Sequence, residues 1–186
     1  MFFANGFEET EALATADVLK RGGIPVKMVS VHDDKFVTSS HHVTVVTDMT
    51  FGEFKENADF SGTGEKDVMI FPGGMPGSTN LAEKAELMEI LRKHYSEGGA
   101  VAAICAAPSV VLGKLPGLSG KRMTCYDGFE KPLVDQGVKY AGKNVETDGN
   151  IITGRGPGLS IDFGLAILAY LKGEEAAAEV KSGMML

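Results

Sequence analysis

The amino-acid sequence predicts an α/β sandwich in which helices cover a mostly parallel central β-sheet. Strand patterns and helix patterns alternate along almost the whole chain, and this alternation is typical of parallel sheets with crossover helices. Asp67–Phe71 and Gly98–Ile104 are almost continuously apolar, which indicates strands buried on both faces. The chain of 186 residues is long enough for a core of its own, so we expect residues 1–186 to form a single domain.

In the N-terminal half, one strongly patterned helix lies among short apolar segments. Glu8–Arg21 is predicted to be helical because Leu13, Ala16 and Leu19 recur at helical spacing. The predicted strands share an apolar or β-branched composition: Met1–Ala4, Ile24–Val31, Phe36–Thr47 (two short strands that meet around Ser39–His42) and Asp67–Phe71.

The C-terminal half continues the alternation. Its predicted strands are Gly98–Ile104, Lys121–Cys125 and the hairpin Val145–Thr153, in which Asp148–Asn150 form the turn. Its predicted helices carry apolar residues on one side or throughout: Leu81–Tyr95, a helix that opens after Cys105, Leu159–Leu171 and Glu174–Lys181.

Composition and charge argue against several classes of protein. The net charge of −7 and the lack of any basic run argue against a nucleic-acid partner. No apolar stretch approaches the ~20 residues of a membrane-spanning helix and no signal peptide is visible, so we expect no membrane partner. Two cysteines are too few to form a disulfide framework in a chain of this length. We therefore expect free thiols and a cytoplasmic location.

Cys105 is the most informative residue, because it stands where a predicted strand meets a predicted helix. The run Gly98–Ile104 precedes it, and Ala106-Ala107-Pro108 opens the helix with proline in the first turn. Such a corner lifts the side chain out of the sheet, as in a nucleophile elbow. The helix start favours a thiolate over a thiol. The alternative is a core cysteine that happens to end a strand.

Glycines follow the strand Asp67–Phe71 at the edge where ligands bind in open parallel sheets. Gly73 and Gly74 could present backbone N–H groups to an oxyanion that forms when Cys105 attacks a carbonyl. The alternative interpretation is a tight turn at the exit of the strand.

A second glycine-rich segment, Thr153–Gly158, follows the predicted hairpin. It lacks the spacing of a dinucleotide-binding loop and has no P-loop lysine, which argues against a phosphate-binding role. We interpret it as a turn that starts the final long helix and leaves Arg155 available to pair with a carboxylate.

Glu8, Glu9 and Glu11 stand at the start of the first predicted helix. For Glu8 and Glu9 a structural role is favoured, because the helix dipole stabilises carboxylates there. Glu11 lies one turn further and is predicted to point inward to the ends of the strands. Burial would raise the pKa of this carboxyl group, which could then donate a hydrogen bond to the Cys105 sulfur or carry a proton.

No histidine is predicted near Cys105, although histidine is the usual partner of a catalytic cysteine. His32, His41 and His42 lie in or beside the second and third strand regions, and His94 lies on a helix. Cys125 ends a strand and is interpreted as structural, or alternatively as bordering the same site.

Four segments of the chain resemble, in order, the ThiJ/PfpI superfamily, and in particular its branch around the Parkinsonism-associated protein DJ-one (DJ-1) and bacterial homologues. They are Asn5–Glu11, Phe71–Gly74, Ala102–Pro108 and Thr153–Gly158. The resemblance implies a flavodoxin-like three-layer sandwich, usually a homodimer. It implies that Cys105 is the nucleophilic thiol, that Glu11 is its protonated partner, and that Gly73, Gly74 and Ala106 are oxyanion donors.

Two departures from the family pattern bear on mechanism. Many members carry a histidine near the thiol where this chain has Tyr126, and we assign Tyr126, Arg155 and Gly156 to a pocket beside the thiol. The peptidases of the superfamily place a histidine directly after the cysteine, where this chain has Ala106. This difference argues against proteolysis and against glutamine amidotransfer.

Two hypotheses from different classes use the same residues. In the first, the protein is a cofactor-free and metal-free cysteine enzyme whose substrate is a small carbonyl compound. That compound is a 2-oxoaldehyde such as methylglyoxal, converted to lactate, or an early glycation adduct, removed by deglycase activity. In the second, Cys105 is oxidised to a sulfinic acid and the protein acts as a redox sensor or chaperone without significant turnover.

Overall fold

The computed structural model describes residues 1–57 and 67–186, and within them a mostly parallel sheet separates two layers of helices. The predicted α/β architecture is therefore confirmed. The strands are β1 Phe2–Phe3, β2 Val29–Ser30, β3 Phe36–Thr38, β4 Thr44–Val46, β5 Met49–Thr50, β6 Val68–Phe71, β7 Ala100–Ile104, β8 Arg122–Met123, β9 Lys139–Tyr140, β10 Val145–Asp148 and β11 Ile151–Gly154.

Helices connect many of these strands, as the crossover connections of a parallel sheet require, and two more follow β11. They are α1 Glu9–Arg21, α2 Phe51–Asn57, α3 Gly77–Glu83, α4 Ala85–Ser96, α5 Ala107–Val110, α6 Lys131–Val134, α7 Ser160–Lys172 and α8 Glu174–Gly183. In the part of the chain that the structure describes, no helix has both the length and the apolar character of a membrane span.

The sheet is built in two parallel parts that meet side by side. β1 pairs with β2 and β2 with β5, all parallel. β6 pairs with β7 and β7 with β11, also parallel, and β10 closes the edge as the antiparallel half of the predicted hairpin. β1 lies beside β6, so the carboxyl ends of β1, β6, β7 and β11 reach the same edge.

The two faces of the sheet have separate cores. Along β7, Val101 and Ala103 pack into one core, whereas Ala102 and Ile104 pack into the other. This alternation follows from the period of two in a strand. α4 and α6 cover the first face, and α1 and α7 cover the second. The three-layer arrangement explains why both faces of the central strand are apolar.

The packing of α1 against α7 fixes the helix that carries the predicted carboxylate. An added Cβ on Gly164 of α7 would lie 2.9 Å from Cβ of Val18, and one on Gly22 would lie 2.4 Å from a methyl group of Leu168. Glycine at these positions therefore lets the two helices approach closely. The approach holds α1 firmly over the sheet.

Several predicted elements differ from the observed ones. Leu81–Tyr95 is divided into α3 and α4 because Lys84 has an extended conformation, with φ −74° and ψ 92°. Of the predicted strand Ile24–Val31, only Val29–Ser30 pairs. Pro25 has no N–H for a ladder, and the N–H of Val26 bonds to the Ile24 carbonyl at 2.8 Å, which curls the chain.

Two further predictions differ from the structure. Lys121–Cys125 is reduced to β8, because the Thr124 N–H donates to the Thr153 hydroxyl rather than to a neighbouring strand. Leu13 was expected on the buried face of α1 but is 39% exposed. The buried face is formed instead by Glu11, Ala12, Thr15 and Ala16 with Val18 and Leu19. The hairpin around Ser39–His42 is confirmed as β3 and β4.

Candidate active site

Cys105 lies on the sharp turn that the sequence predicts, directly after β7. Its backbone has φ +65°, a left-handed conformation that is strained for a residue with a side chain. Its N–H donates to the Gly154 carbonyl at 2.9 Å, and its carbonyl accepts from the Tyr126 N–H at 2.8 Å. Both backbone groups are thus held by neighbouring segments, and the partly exposed thiol points away from the strand.

Backbone amides from two segments point at the sulfur. The N–H groups of Gly74 and Ala106 donate hydrogen bonds to Cys105 and favour its ionised form. Pro108 lies in the first turn of α5, as predicted, but α5 contains only four residues. The amides beside the sulfur therefore matter more than the dipole of so short a helix.

Glu11 lies in the first turn of α1 and contacts Cys105 at the edge of the sheet. The residue is 1% exposed, and its Oε2 accepts a hydrogen bond from the Gly73 N–H at 2.8 Å. Oε1 is also buried and has no nitrogen or oxygen partner among the described residues. The thiol of Cys105 is the remaining hydrogen-bond partner of the carboxyl group.

Gly73 is the point at which the carboxyl group and the thiol come together. A Cβ on this residue would lie 2.5 Å from Cβ of Cys105 and 2.6 Å from Oε2 of Glu11. Only glycine fits between the two side chains. The structure also alters its expected role, because the Gly73 N–H is used by Glu11. Gly74 and Ala106 are left as the donors that can face an oxyanion.

The proton equilibrium of Glu11 and Cys105 is coupled. Burial raises the pKa of Glu11 to about 7. Burial, followed by the charge and the hydrogen bond of Glu11, raises the pKa of Cys105 to about 12. The expectation that the helix start favours a thiolate is therefore wrong for this thiol, chiefly because burial raises its pKa. A proton on Glu11 removes the repulsion and lets the carboxyl group donate to the sulfur, so the two groups exchange one proton.

Glu8 and Glu9 have the structural roles that the sequence favours. Glu8 caps α1 by accepting from the Glu11 N–H at 2.6 Å. Glu9 pairs with His41 at 3.0 Å and ties the β3–β4 hairpin to the helix. Ligand atoms of Glu8, Glu9 and His41 lie within 4.8 Å of one another, but the cap and the ion pair account for this arrangement, and we assign no metal to it.

Tyr126, Arg155 and Gly156, which the sequence assigns to a pocket, belong to two segments that bond to the backbone of Cys105, through the Tyr126 N–H and the Gly154 carbonyl. The ring of Tyr126 packs over Gly156, where an added Cβ would lie 3.2 Å from Cδ2. Arg155 pairs with the carboxylate of Asp127 through Nε at 2.9 Å and Nη2 at 2.8 Å. No local pattern in the sequence predicts the role of Asp127, because 28 residues separate it from Arg155.

The histidines and the second cysteine have other environments. His94 contacts the Ala100 carbonyl, His32 accepts from the Asn5 N–H, and His41 pairs with Glu9. Among the groups that shift the pKa of Cys105, none is a histidine. Cys125 is fully buried in the core on the opposite face of the sheet. Burial raises its pKa to about 12, which fits a structural role.

Comparison with known proteins agrees with this geometry. The model of the DJ-1/PfpI family matches residues 1–170. The chain belongs to the DJ-1/PfpI family. The protein dj-1beta of Drosophila melanogaster is 36% identical over 186 residues, which cover 100% of this chain and 95% of the relative. Its crystal structure matches with a TM-score of 0.88 over 100% of this chain and 95% of that one.

Two further relatives bear on chemistry. The glutathione-independent glyoxalase DJR-1.2 of Caenorhabditis elegans is 34% identical over 168 residues, which cover 90% of this chain and 84% of the relative. The structure of oxidized Toxoplasma gondii DJ-1 matches with a TM-score of 0.89 at 29% identity, over 99% of this chain and 95% of that one. A DJ-1 fold of flavodoxin-like type is thereby established for this chain.

We predict that Cys105 is modified well before Cys125. The pKa of both thiols is raised to about 12, so the difference follows from access, since Cys105 is partly exposed and Cys125 is 0% exposed. Peptide mass spectrometry after substoichiometric iodoacetamide or peroxide should find the adduct at Cys105 first. Preferential labelling of Cys125 would overturn the assignment of the site.

We predict that Glu11→Gln removes a pH dependence of stability. Because the pKa of Glu11 is raised from 4.5 to about 7, its proton stabilises the folded state fully below about pH 4.5, and this stabilisation is lost as the pH rises through about 7. The free energy of unfolding of the wild type should therefore fall by up to about 3 kcal/mol relative to the variant between those limits.

Urea unfolding at several pH values measures this difference. Glu179→Gln, which changes an exposed glutamate of α8, is the matched control and should follow the wild type. If the free energy of unfolding changes with pH in the same way for the wild type and Glu11→Gln, the pKa of the buried carboxyl group is not raised in the folded protein.

Proposed function

We propose that the protein converts 2-oxoaldehydes to 2-hydroxy acids without a cofactor, or acts on the early adducts that these aldehydes form. The observation that carries the proposal is the buried carboxyl group of Glu11, held by Gly73 at 2.8 Å with its other oxygen free of nitrogen and oxygen partners in the described chain, and in contact with Cys105. The raised pKa, about 7, suits a group that both gives and takes a proton near neutral pH.

The first step is addition of the thiol to the aldehyde. The Cys105 proton passes to Glu11, and the sulfur forms a bond to the aldehyde carbon. The N–H groups of Gly74 and Ala106, which face the sulfur, stabilise the negative oxygen as it forms. Glu11 then returns the proton to that oxygen, which gives a neutral hemithioacetal and an ionised carboxylate.

The second step moves hydrogen between two carbon atoms. Glu11 takes the proton from the former aldehyde carbon, and the electron pair forms the double bond of an enediolate as the hydroxyl proton passes to the neighbouring oxygen, which leaves the negative charge on the oxygen beside the sulfur. Glu11 then gives its proton to the second carbon, which leaves a thioester of Cys105. Water hydrolyses the thioester to the 2-hydroxy acid and the free thiol, so atoms and charge balance. The covalent intermediate divides one difficult rearrangement into easier steps.

Relatives and geometry support an enzyme more than a passive sensor. One relative is named a glutathione-independent glyoxalase. The proton transfer between Cys105 and Glu11 requires neither a nucleotide nor a metal ion. We propose that the reaction takes place in the cytoplasm, where the two unpaired thiols stay reduced.

A redox role is the second candidate, and one arrangement favours it. The amides of Gly74 and Ala106 and the carboxyl group of Glu11 could hold the oxygens of a sulfinate at Cys105, and the Toxoplasma relative was solved in an oxidized form. Methylglyoxal turnover of a few per second or more, an ordinary value for kcat, favours the enzyme. Rates at the buffer background together with rapid peroxide oxidation favour the sensor.

We also propose that the protein is a homodimer. Large apolar side chains of α1 and the β3–β4 hairpin are exposed: Leu13 39%, Phe36 62%, Val43 46% and Val46 58%. The hairpin is tied to the start of α1 by the Ser40 N–H, which donates to the Phe7 carbonyl at 2.8 Å. Phe36 and Val46 are directly paired across the hairpin and so share one of its faces, and exposed apolar side chains grouped in this way are typical of an interface.

Glu11→Gln is predicted to abolish turnover while leaving a reactive thiol. The amide keeps an acceptor for Gly73 but cannot carry a proton, so methylglyoxal turnover should fall by roughly 10²–10⁴-fold. Loss of the carboxylate charge should also lower the pKa of Cys105, which a thiolate absorbance titration measures. Glu11→Asp shortens the reach and should impair both properties, whereas Glu179→Gln should match the wild type. If Glu11→Gln converts methylglyoxal at the wild-type rate, Glu11 is not the proton carrier of the mechanism.

The homodimer predicts a particle of twice the chain mass of 19.7 kDa in light scattering at micromolar concentration. Phe36→Glu places a charge in the apolar patch and should shift the protein to monomer. Val134→Glu changes a side chain that is 50% exposed on α6 and should leave the dimer intact. A wild-type particle of one chain mass contradicts the proposal.

A further inference from the structure

Two large apolar side chains are exposed in the segments that contact Cys105 through their backbones. Met75 and Tyr126 are each 47% exposed. Met75 directly follows Gly74, whose N–H faces the Cys105 sulfur, and the Tyr126 N–H donates to the Cys105 carbonyl at 2.8 Å. Both residues therefore come from segments that contact Cys105. We call Met75 and Tyr126 the apolar rim.

The side chain of Tyr126 is held from two directions. Gly156 lies under the ring, where an added Cβ would be 3.2 Å from Cδ2 and 3.5 Å from Cε2. Phe129 meets it edge to face, with ring centroids 6.5 Å apart and an angle of 73° between the planes. The ring is therefore a fixed wall, and its remaining exposed surface is available to a ligand.

Met75 forms an adaptable wall from the other of the two segments that contact Cys105. The Thr79 hydroxyl donates a weak hydrogen bond to its sulfur at 3.9 Å, which places the end of the side chain near α3 without fixing it. A thioether side chain adjusts its shape to different apolar groups. A fixed aromatic wall and a flexible one together suit a substituent larger than a methyl group.

The charges around the rim do not favour an anionic substrate. Arg155 adjoins the rim, but its guanidinium group is bound by Asp127 through hydrogen bonds of 2.9 and 2.8 Å. Glu8 adds negative charge near Glu11. Among the described residues beside the thiol, no cation is thus left unpaired to bind a phosphate or carboxylate group of a substrate.

We infer that the apolar rim of Met75 and Tyr126 selects uncharged 2-oxoaldehydes that carry a bulky apolar or aromatic substituent over methylglyoxal. The inference deepens the proposed function and rests on it for the reaction itself. Met75 and Tyr126 contact the substituent and take no part in the proton transfers. They are specificity-determining residues, and their effect should appear in the ratio between two substrates.

The first experiment compares phenylglyoxal with methylglyoxal by their kcat/KM values. The wild type should prefer phenylglyoxal, and Tyr126→Ala should lower the ratio by roughly 10-fold, the scale of losing one apolar contact in a substrate pocket. Met75→Ala should lower it less, because its wall is flexible. Tyr126→Phe should keep the wild-type ratio, since the ring and not the hydroxyl group provides the contact.

Met185→Ala is the matched control for Met75→Ala, because Met185 is 96% exposed beyond the end of α8. It should leave both substrates unaffected. A ratio that stays the same in Tyr126→Ala, or that changes equally in Met185→Ala, overturns the inference.

The second experiment needs no turnover. Iodoacetamide and iodoacetanilide carry the same electrophile, and only the latter has a phenyl group. Their relative rates of alkylation at Cys105, measured by peptide mass spectrometry and divided by the relative rates with free glutathione, should favour iodoacetanilide in the wild type. Tyr126→Ala should remove that preference, and Tyr126→Phe should retain it.

The two experiments distinguish failure of the inference from failure of the proposed function. If neither aldehyde is turned over but the alkylation preference depends on Tyr126, the proposed function fails and the apolar rim stands. If the aldehydes are turned over but neither ratio depends on Tyr126, the proposed function stands and the apolar rim fails.

Discussion

The site depends on the contact of three groups at the edge of the sheet: the thiol of Cys105, the carboxyl group of Glu11 and the backbone of Gly73. Gly73 gives its N–H to Glu11 at 2.8 Å, and its Cα lies so close to both side chains that a methyl group does not fit. A carboxyl group is costly to bury unless it is hydrogen-bonded or protonated. The Gly73 N–H supplies the hydrogen bond, and burial raises the pKa of Glu11 to about 7, so that this carboxyl group can gain and lose a proton near neutral pH.

The rest of the fold serves to bring these groups together. β6 and β7 are adjacent and parallel, so Gly73 and Cys105 leave the sheet at the same edge. Glu11 comes from α1, which is fixed over the sheet by the close approach of Gly164 to Val18. A wider separation of α1 and α7 would move Glu11 away from the thiol. The precision of the site therefore rests on helix packing that lies well away from it.

Much of this arrangement could be predicted from the sequence, and the exceptions have physical reasons. The buried strands, the turn at Cys105 and the inward side of Glu11 follow from local patterns and from the rule that ligands meet the carboxyl ends of parallel strands. Contacts between distant segments leave no such pattern. The pairing of Arg155 with Asp127 and the use of the Gly73 N–H by Glu11 depend on tertiary structure. The raised pKa of the Cys105 thiol also depends on tertiary structure, because burial of the thiol outweighs the dipole of α5, a helix of only four residues.

The positions of the two cysteines have a consequence for the repair of oxidative damage. Cys105 contacts the core on one face of the sheet, and Cys125 is buried in the core on the other. If Cys105 is oxidised to a sulfenic acid, the folded chain holds no second thiol in the same core, because Cys125 packs into the core on the opposite face. Recovery within the folded chain therefore depends on a thiol supplied from solution. The lifetime of the oxidised protein would then report the thiol concentration around it.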